Sequence, residues 1–137
     1  MKKTLITFLI VVFMFACGQK QSNESSIDKT FESFLSKFNN DSIFQINRIK
    51  FPLPIIETES ENFTEVHSKI ERENYRKIDL TFDKADQKRE GYTQNVKLSK
   101  NKATIEIRGI ENGIMADYYF EKENGKWTLV GWNDSST

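Results

Sequence analysis

The stretch IMADYYFEKENGKWTLVGW, residues 114–132, decides the fold class of this chain. Apolar or small residues recur at every second position in each half, which is the pattern of a β-strand with one covered face. Asn124 and Gly125 separate the two halves and are a strong signal for a tight hairpin turn. The stretch therefore predicts two antiparallel strands. The residues expected on their covered face are Ile114, Ala116, Tyr118, Phe120, Trp127, Leu129 and Gly131.

Two more alternating segments precede this hairpin, at residues 92–98 and 103–108. Turn-forming residues separate all four segments, so they predict an antiparallel meander of four strands. Residues 78–82 also alternate, because Ile78, Leu80 and Phe82 are interleaved with polar side chains. We therefore expect a further strand there.

Proline restricts the apolar segment RIKFPLPII, residues 48–56. Pro52 and Pro54 have no amide hydrogen to donate to a neighbouring strand, so we expect an edge strand or a connection rather than a central strand. The basic residues Arg48 and Lys50 are expected to be solvated at that edge. Immediately afterwards, residues 55–59 and 63–67 are expected to form a short hairpin.

A helix is predicted upstream of these strands. Phe31, Phe34, Leu35 and Phe38 recur at i, i+3, i+4 and i+7, which places them on one buried stripe, and Asp28 is expected to cap the helix. A second, shorter helix is expected after residue 41. The combined pattern predicts an α+β fold in which the N-terminal helices pack on a curved antiparallel sheet, forming a roll.

Residues 1–17, MKKTLITFLIVVFMFAC, have the layout of a secretory signal: two lysines, an apolar run and a small residue before Cys17. The apolar run of about 12 residues is shorter than the roughly 20 that a membrane-spanning helix needs. A cysteine directly after Ala16 favours a bacterial lipoprotein signal, in which residues 1–16 are removed and Cys17 is acylated. The alternative is an ordinary signal peptide with a chance cysteine.

The polar residues 17–26 are expected to tether a single domain, residues 27–137, to the membrane. Gly18, rather than aspartate, after the cysteine resembles the signals of lipoproteins directed to the outer membrane. No acidic run follows at once, which favours the periplasmic face over surface display. Loss of Lys2 and Lys3 from the 20 basic residues leaves 18 against 20 acidic ones. This balance indicates neither a nucleic-acid partner nor a polybasic membrane surface.

No catalytic constellation stands out in the chain. His67 is the sole histidine and Cys17 the sole cysteine, so neither a metal site nor a cofactor is predicted. Asp79 and Asp117 lie among apolar residues of predicted strands, and either could be an interior carboxylate with a raised pKa. The alternation nevertheless favours solvent for Asp117, and His67 is expected at the surface.

Aromatic and apolar side chains on the second face of the last hairpin suggest a surface for a partner. Strict alternation places Tyr119, Val130 and Trp132 opposite the face that carries Tyr118 and Leu129. If the sheet has a single covering layer, these three side chains form an exposed apolar patch. Burial by loops or by the chain end is the alternative.

Several features together resemble a known family. They are the lipoprotein signal, a first helix of the form F-x-x-F-x-x-x-F, the segment FQINRIKFPLP from Phe44, and the ending NGKWTLVGW. The chain resembles a domain-of-unknown-function family of lipoproteins from gut-type anaerobic bacteria, with a nuclear-transport-factor-two-like, or cystatin-like, roll. R-I-x-F-P-L is the most specific element, and Tyr75 stands where the family leads us to expect tryptophan. The resemblance implies architecture and location, and it supplies no catalytic residues.

The leading hypothesis is a non-enzymatic, lipid-anchored protein of the cell envelope that binds a partner protein or a small ligand. A small periplasmic hydrolase or isomerase is the alternative, with Asp79 or Asp117 as the reacting carboxylate and a tyrosine as hydrogen-bond donor. A purely structural role in envelope assembly is a third hypothesis, which the sequence does not separate from the first.

Overall fold

A computed structural model describes residues 26–59, 61–83 and 91–137. The predicted signal, Cys17 and nearly all of the tether lie outside the described residues. Two helices, α1 (Phe31–Asn40) and α2 (Ser42–Ile46), precede the sheet, and short 3-10 turns lie at Ser26–Asp28 and Arg72–Asn74. Within the described ranges, no helix has the length and apolar character needed to cross a bilayer. The strands are β1 (Leu53–Glu59), β2 (Thr64–Ile70), β3 (Tyr92–Leu98), β4 (Lys102–Gly109), β5 (Met115–Glu123) and β6 (Lys126–Asp134).

The six strands form one sheet in the order β2-β1-β6-β5-β4-β3. β3 to β6 are joined as an antiparallel meander, and β1 and β2 form the predicted hairpin, with Leu53 opposite Ile70. β1 and β6 run parallel, with Ile55 opposite Trp132. The prediction of an α+β fold with a four-stranded meander is confirmed.

The prediction that residues 48–56 avoid the interior of the sheet is wrong, because β1 lies between β2 and β6. Pro54 is tolerated because the parallel pairing with β6 covers only three residues and begins after it, at Ile55. Arg48 and Lys50 form backbone hydrogen bonds with Leu129 of β6, so the segment before β1 also runs along this strand.

The strand predicted at residues 78–82 is absent from the described structure. Side-chain amides bind its backbone where a neighbouring strand would otherwise do so. The amide of Ile78 donates to Gln45 Oε1 at 3.1 Å, and the amide of Leu80 donates to Asn39 Oδ1 at 3.1 Å. The segment is consequently attached to α1 and α2, not paired in the sheet.

The aromatic stripe of α1 joins the helix to the sheet. Phe31, Phe34 and Phe38 are buried, and their ring centroids lie 5.2, 5.8 and 5.6 Å from that of Phe120 on β5, in edge-on geometry. Such edge-to-face aromatic pairs stabilise a core beyond their buried area. The predicted buried stripe is confirmed for these three phenylalanines, whereas Leu35 is only partly buried.

Asp28 does not cap α1; Thr30 does, by accepting a hydrogen bond from the amide of Ser33 at 3.1 Å. Asp28 is fully buried and binds the guanidinium of Arg48 through two hydrogen bonds of 2.9 and 2.7 Å. The backbone of Trp127 completes the group, because its amide donates to Asp28 at 3.0 Å and its carbonyl accepts from Arg48 at 3.1 Å. We call this arrangement the Asp28–Arg48 clasp. Arg48 is therefore not solvated, as the sequence had suggested.

Replacing Asp28 with asparagine is expected to lower the free energy of unfolding by about 3–5 kcal/mol, because Arg48 loses its counter-charge in a buried site. Chemical denaturation of the purified chain measures this loss. Asp79→Asn is the matched control: Asp79 is exposed, so a change within about 0.5 kcal/mol is expected. Equal losses in the two variants would contradict the importance of the clasp.

Candidate functional site

A groove of about 260 Å³ lies between α1, the segment at residues 80–82 and β3. Leu35, Leu80 and Phe82 give it an apolar part, and polar side chains surround them. We call it the α1 groove. Its lining residues are Glu32, Leu35, Ser36, Asn39, Asn40, Leu80, Thr81, Phe82 and Gln94.

Gln45 holds the chain that leads into this groove. Its side chain is fully buried, and Nε2 donates to the carbonyls of Phe38 at 2.9 Å and Ile78 at 2.8 Å. Oε1 accepts from the hydroxyl of Tyr75 at 2.6 Å and from the amide of Ile78 at 3.1 Å. All four hydrogen-bonding positions of the amide group are therefore filled.

Gln94 on β3 is only half satisfied. Its Nε2 donates to the carbonyl of Leu80 at 3.1 Å, which fixes the orientation of the amide because only the nitrogen can donate. Its Oε1 is buried and has no hydrogen-bond partner among the described residues. A buried acceptor left without a donor costs about 1–3 kcal/mol. The groove wall thus contains one acceptor that a bound donor group would satisfy.

Two further cavities lie elsewhere on the molecule. One, of about 270 Å³, is lined by Lys50, Glu121, Glu123, Thr128 and Val130. The other, of about 190 Å³, lies beside the β3–β4 turn. No described residue that lines either cavity has a buried polar atom without a partner, so chemistry rather than volume distinguishes the α1 groove.

The two carboxylates predicted as interior candidates are not interior. Asp79 is exposed, and its Oδ1 accepts from the amide of Thr81 at 2.9 Å; hydrogen bonds from Thr81 hold the pKa of Asp79 below its usual value. Asp117 binds Arg108 at 2.7 Å and lies on the sheet face opposite to the buried Ile105. Neither lines any of the three cavities.

Among the described residues, the fully buried carboxylate is that of Asp28, which is bound to Arg48. The side chain of His67 is 69% exposed and its Nε2 lies 3.8 Å from Glu65. Over the described ranges, no three acidic, histidine or cysteine side chains are grouped so that they could hold a metal ion.

The predicted grouping of Tyr119, Val130 and Trp132 on one face is wrong, because a β-bulge interrupts the alternation. The register between β5 and β6 shifts between Tyr119 and Phe120, and Val130 is left without a partner in the register. Trp132 therefore lies opposite Tyr118, with ring centroids 5.7 Å apart, and packs against the core. Tyr119 stays on the other face and is 37% exposed.

The polar residues that shape the groove were missed in the sequence because glutamine and asparagine are usually assigned to solvent. The alternation of β3 did mark Gln94, because it lies two residues after Tyr92 and two before Val96 and so shares their face of the strand. A glutamine in an inward position must find partners within the fold or retain an unpaired group. No comparable signal marks Asn39.

Most of the chain matches the model of one protein family. The model of DUF4348, a domain of unknown function, matches residues 20–134. No curated protein matches the chain. The family predicted from the sequence is confirmed as a family of unknown function.

Several solved structures of Bacteroides proteins are similar to the structure of this chain. A cystatin-like protein from Bacteroides caccae is 30% identical, with a TM-score of 0.56 over 75% of this chain and 74% of that chain. A protein from Bacteroides uniformis is 26% identical, with a TM-score of 0.54 over 76% and 75%. An NTF2-like protein from Bacteroides fragilis is 21% identical, with a TM-score of 0.58 over 83% of this chain; the match spans only 50% of that protein.

Stability in alkaline solution is expected to depend on Tyr75, because burial raises the pKa of its hydroxyl from 10.0 to about 12. The folded state holds this proton more tightly than the unfolded state, so the stabilisation is complete below pH 10 and is lost as the pH rises towards 12. Tyr75→Phe has no such proton. The free energy of unfolding of the wild type should fall more steeply than that of Tyr75→Phe between these values. Parallel curves would contradict the role given to Tyr75.

Proposed function

The chain belongs to the DUF4348 family, and from this premise we propose that it is a lipid-anchored, non-enzymatic binding protein of the bacterial cell envelope, which takes a small ligand into the α1 groove. The observation that carries the ligand site is the buried, unpaired Oε1 of Gln94. The sequence of residues 1–17 supports the anchor.

As part of the same proposal, the sheet curves around α1 as a roll. The edge-on contacts of three α1 phenylalanines with Phe120 support this arrangement. Similarity to solved structures described as NTF2-like and cystatin-like is further support. In such a roll the groove lies where the helix and the sheet diverge.

The dimensions and lining of the groove define the ligand class. A volume of about 260 Å³ suits a compact molecule, since pockets for drug-sized ligands start at roughly 300 Å³. Leu35 and Phe82 would contact an apolar part of the ligand, and an N–H or O–H group would donate to Gln94 Oε1. Because this oxygen is closed off from solvent, ligand entry requires residues 80–82 to move outward.

The proposed location is the periplasmic side of the outer membrane. Acylated Cys17 holds the chain there, and the nine polar residues from Gly18 to Ser26 allow the domain a reach of roughly 15–18 Å as a coil. The glycine after the cysteine supports the outer membrane over the inner one by analogy with lipoprotein sorting.

The anchor is tested by feeding bacteria that express the full chain an alkyne-bearing fatty acid. The wild type is expected to carry the label and to lack residues 1–16 by mass spectrometry, whereas Cys17→Ala carries none. Gly18→Ala is the matched control, because it changes the neighbouring residue and leaves the thiol in place. Equal labelling of Cys17→Ala and wild type would refute acylation at Cys17.

The ligand site is tested with indole, phenol and benzamide, which combine an apolar ring with a hydrogen-bond donor. Titration followed by NMR should shift the Gln94 side-chain amide and the Leu35 methyl signals. Gln94→Met removes the acceptor and should weaken binding about tenfold, which corresponds to one buried hydrogen bond. Asn95→Met, on the other face of β3, should bind as the wild type does. Equal affinity of both variants would refute the role of Gln94.

A further inference from the structure

Two β-turns meet at one end of the sheet, which we call the hairpin end: residues 99–101 between β3 and β4, and Asn124 with Gly125 between β5 and β6. A backbone hydrogen bond of 2.8 Å from Lys122 to the carbonyl of Asn101 joins their strands. The clasp reaches the same end, because Asp28 accepts from the amide of Trp127, close to the second turn.

Lysines are concentrated at the hairpin end. Leu98, which precedes the first turn, is an apolar side chain in their midst and is 60% exposed. In the described part of the chain, Lys29, Lys100 and Lys126 are exposed and form no ion pair, whereas Lys102 lies 3.2 Å from Glu121. Among the described residues, this end contains five lysines, Lys29, Lys100, Lys102, Lys122 and Lys126, and the glutamates Glu121 and Glu123, which lie opposite Lys102 and Lys126 in the strand register.

The opposite end of the sheet, which we call the far end, is acidic. Glu57 lies opposite Asp134 in the parallel pair of β1 and β6, and Glu59 follows it at the end of β1. Glu111 lies in the β4–β5 turn at the same end.

The described part of the chain begins at the hairpin end, where the proposed tether joins the domain. Ser26 is the first described residue, and two residues later Asp28 is locked into the clasp. A reach of roughly 15–18 Å keeps this end close to Cys17. β5 has nine residues, about 30 Å at 3.3 Å per residue, so the far end lies well beyond that reach.

We propose that the hairpin end lies against the anionic phospholipid headgroups of the membrane that holds the anchor. This inference rests on the acylation of Cys17 proposed above. The field of an anionic surface attracts the lysines and repels the acidic far end, so a nearly neutral domain is oriented by it. Leu98 then lies at the level of the headgroups, where an exposed apolar side chain is stabilised.

The orientation is tested on lipidated full-length protein in vesicles of phosphatidylethanolamine and phosphatidylglycerol that carry a headgroup quencher. Since Cys17 is acylated, an introduced cysteine is the only free thiol and takes a fluorophore alone. Asn101→Cys reports on the hairpin end and Ile110→Cys on the far end, and both positions are exposed. We expect quenching at residue 101 and little at residue 110. Equal quenching at both would overturn the proposal.

The electrostatic origin has its own control. Replacing Lys100 and Lys126 with glutamine should lower the ratio of membrane-facing to free orientations roughly 25-fold, at about fivefold per lysine near an anionic surface. Lys69→Gln with Lys77→Gln changes the net charge equally, away from the hairpin end, and should leave the quenching as in the wild type. If residue 101 is still quenched more than residue 110 in vesicles of phosphatidylcholine alone, the electrostatic explanation is overturned.

Failure of the anchor is distinguishable from failure of the orientation. If the parent chain, without an introduced cysteine, titrates one free thiol, Cys17 is not acylated; the anchor and the orientation that depends on it are then both refuted. If the parent titrates none and the two labelled positions are quenched equally, the anchor holds and only the orientation is refuted.

Discussion

The buried ion pair between Asp28 and Arg48 is the constraint on which the rest of the structure depends. It joins residues 20 positions apart, and through the backbone of Trp127 it reaches a strand 79 positions beyond Arg48. Burying two charges is unfavourable unless every polar atom is bonded, and here the fork of the guanidinium and the two carboxylate oxygens match. The pair holds the chain just before α1 against β6. The phenylalanines of α1 then meet Phe120.

The α1 groove exists because one segment takes its hydrogen bonds from side chains. Had residues 78–82 paired with β3, they would have extended the sheet, and the space beside α1 would have closed. Gln45 and Asn39 instead satisfy the backbone of Ile78 and Leu80. Gln94 then donates to the carbonyl of Leu80 and keeps an unpaired oxygen. The side-chain hydrogen bonds that prevent a strand at residues 78–82 therefore also leave the groove with one unpaired acceptor, Gln94 Oε1.

Most of the periodic parts of this chain were predictable, whereas the alternating segment at residues 78–82 and the interruptions of periodicity were not. The α1 stripe, the meander and the β1–β2 hairpin follow from spacing, because burying one face requires it. The bulge beside Val130 reverses which face Trp132 occupies, and a count of alternating residues contains no mark of it. In the sequence, Asp28 resembles a helix cap and Arg48 a solvated basic residue. Their ion pair joins distant segments, so the local sequence does not reveal it. At the groove, the apolar Leu35 was expected to be buried, whereas the roles of Gln94 and Asn39 depend on a loop conformation that local sequence does not specify.

The distribution of charge, like the pairing of Asp28 with Arg48, depends on the fold and cannot be read from composition. The whole chain is neutral, with 20 basic and 20 acidic residues, and this balance indicates no membrane surface. Strand pairing, however, sets Lys102 opposite Glu121 and Lys126 opposite Glu123 at one end, and Glu57 opposite Asp134 at the other. The excess of lysines at one end and the excess of acidic residues at the other then lie about one strand length apart. The field of a charged surface decays within about 10 Å at 0.1 M salt, so it acts on the end of the domain that lies next to the surface. The separation of the charges, and not the net charge of the chain, therefore decides the interaction. The proposed orientation at a membrane thus rests on where the fold places the charges and not on their total.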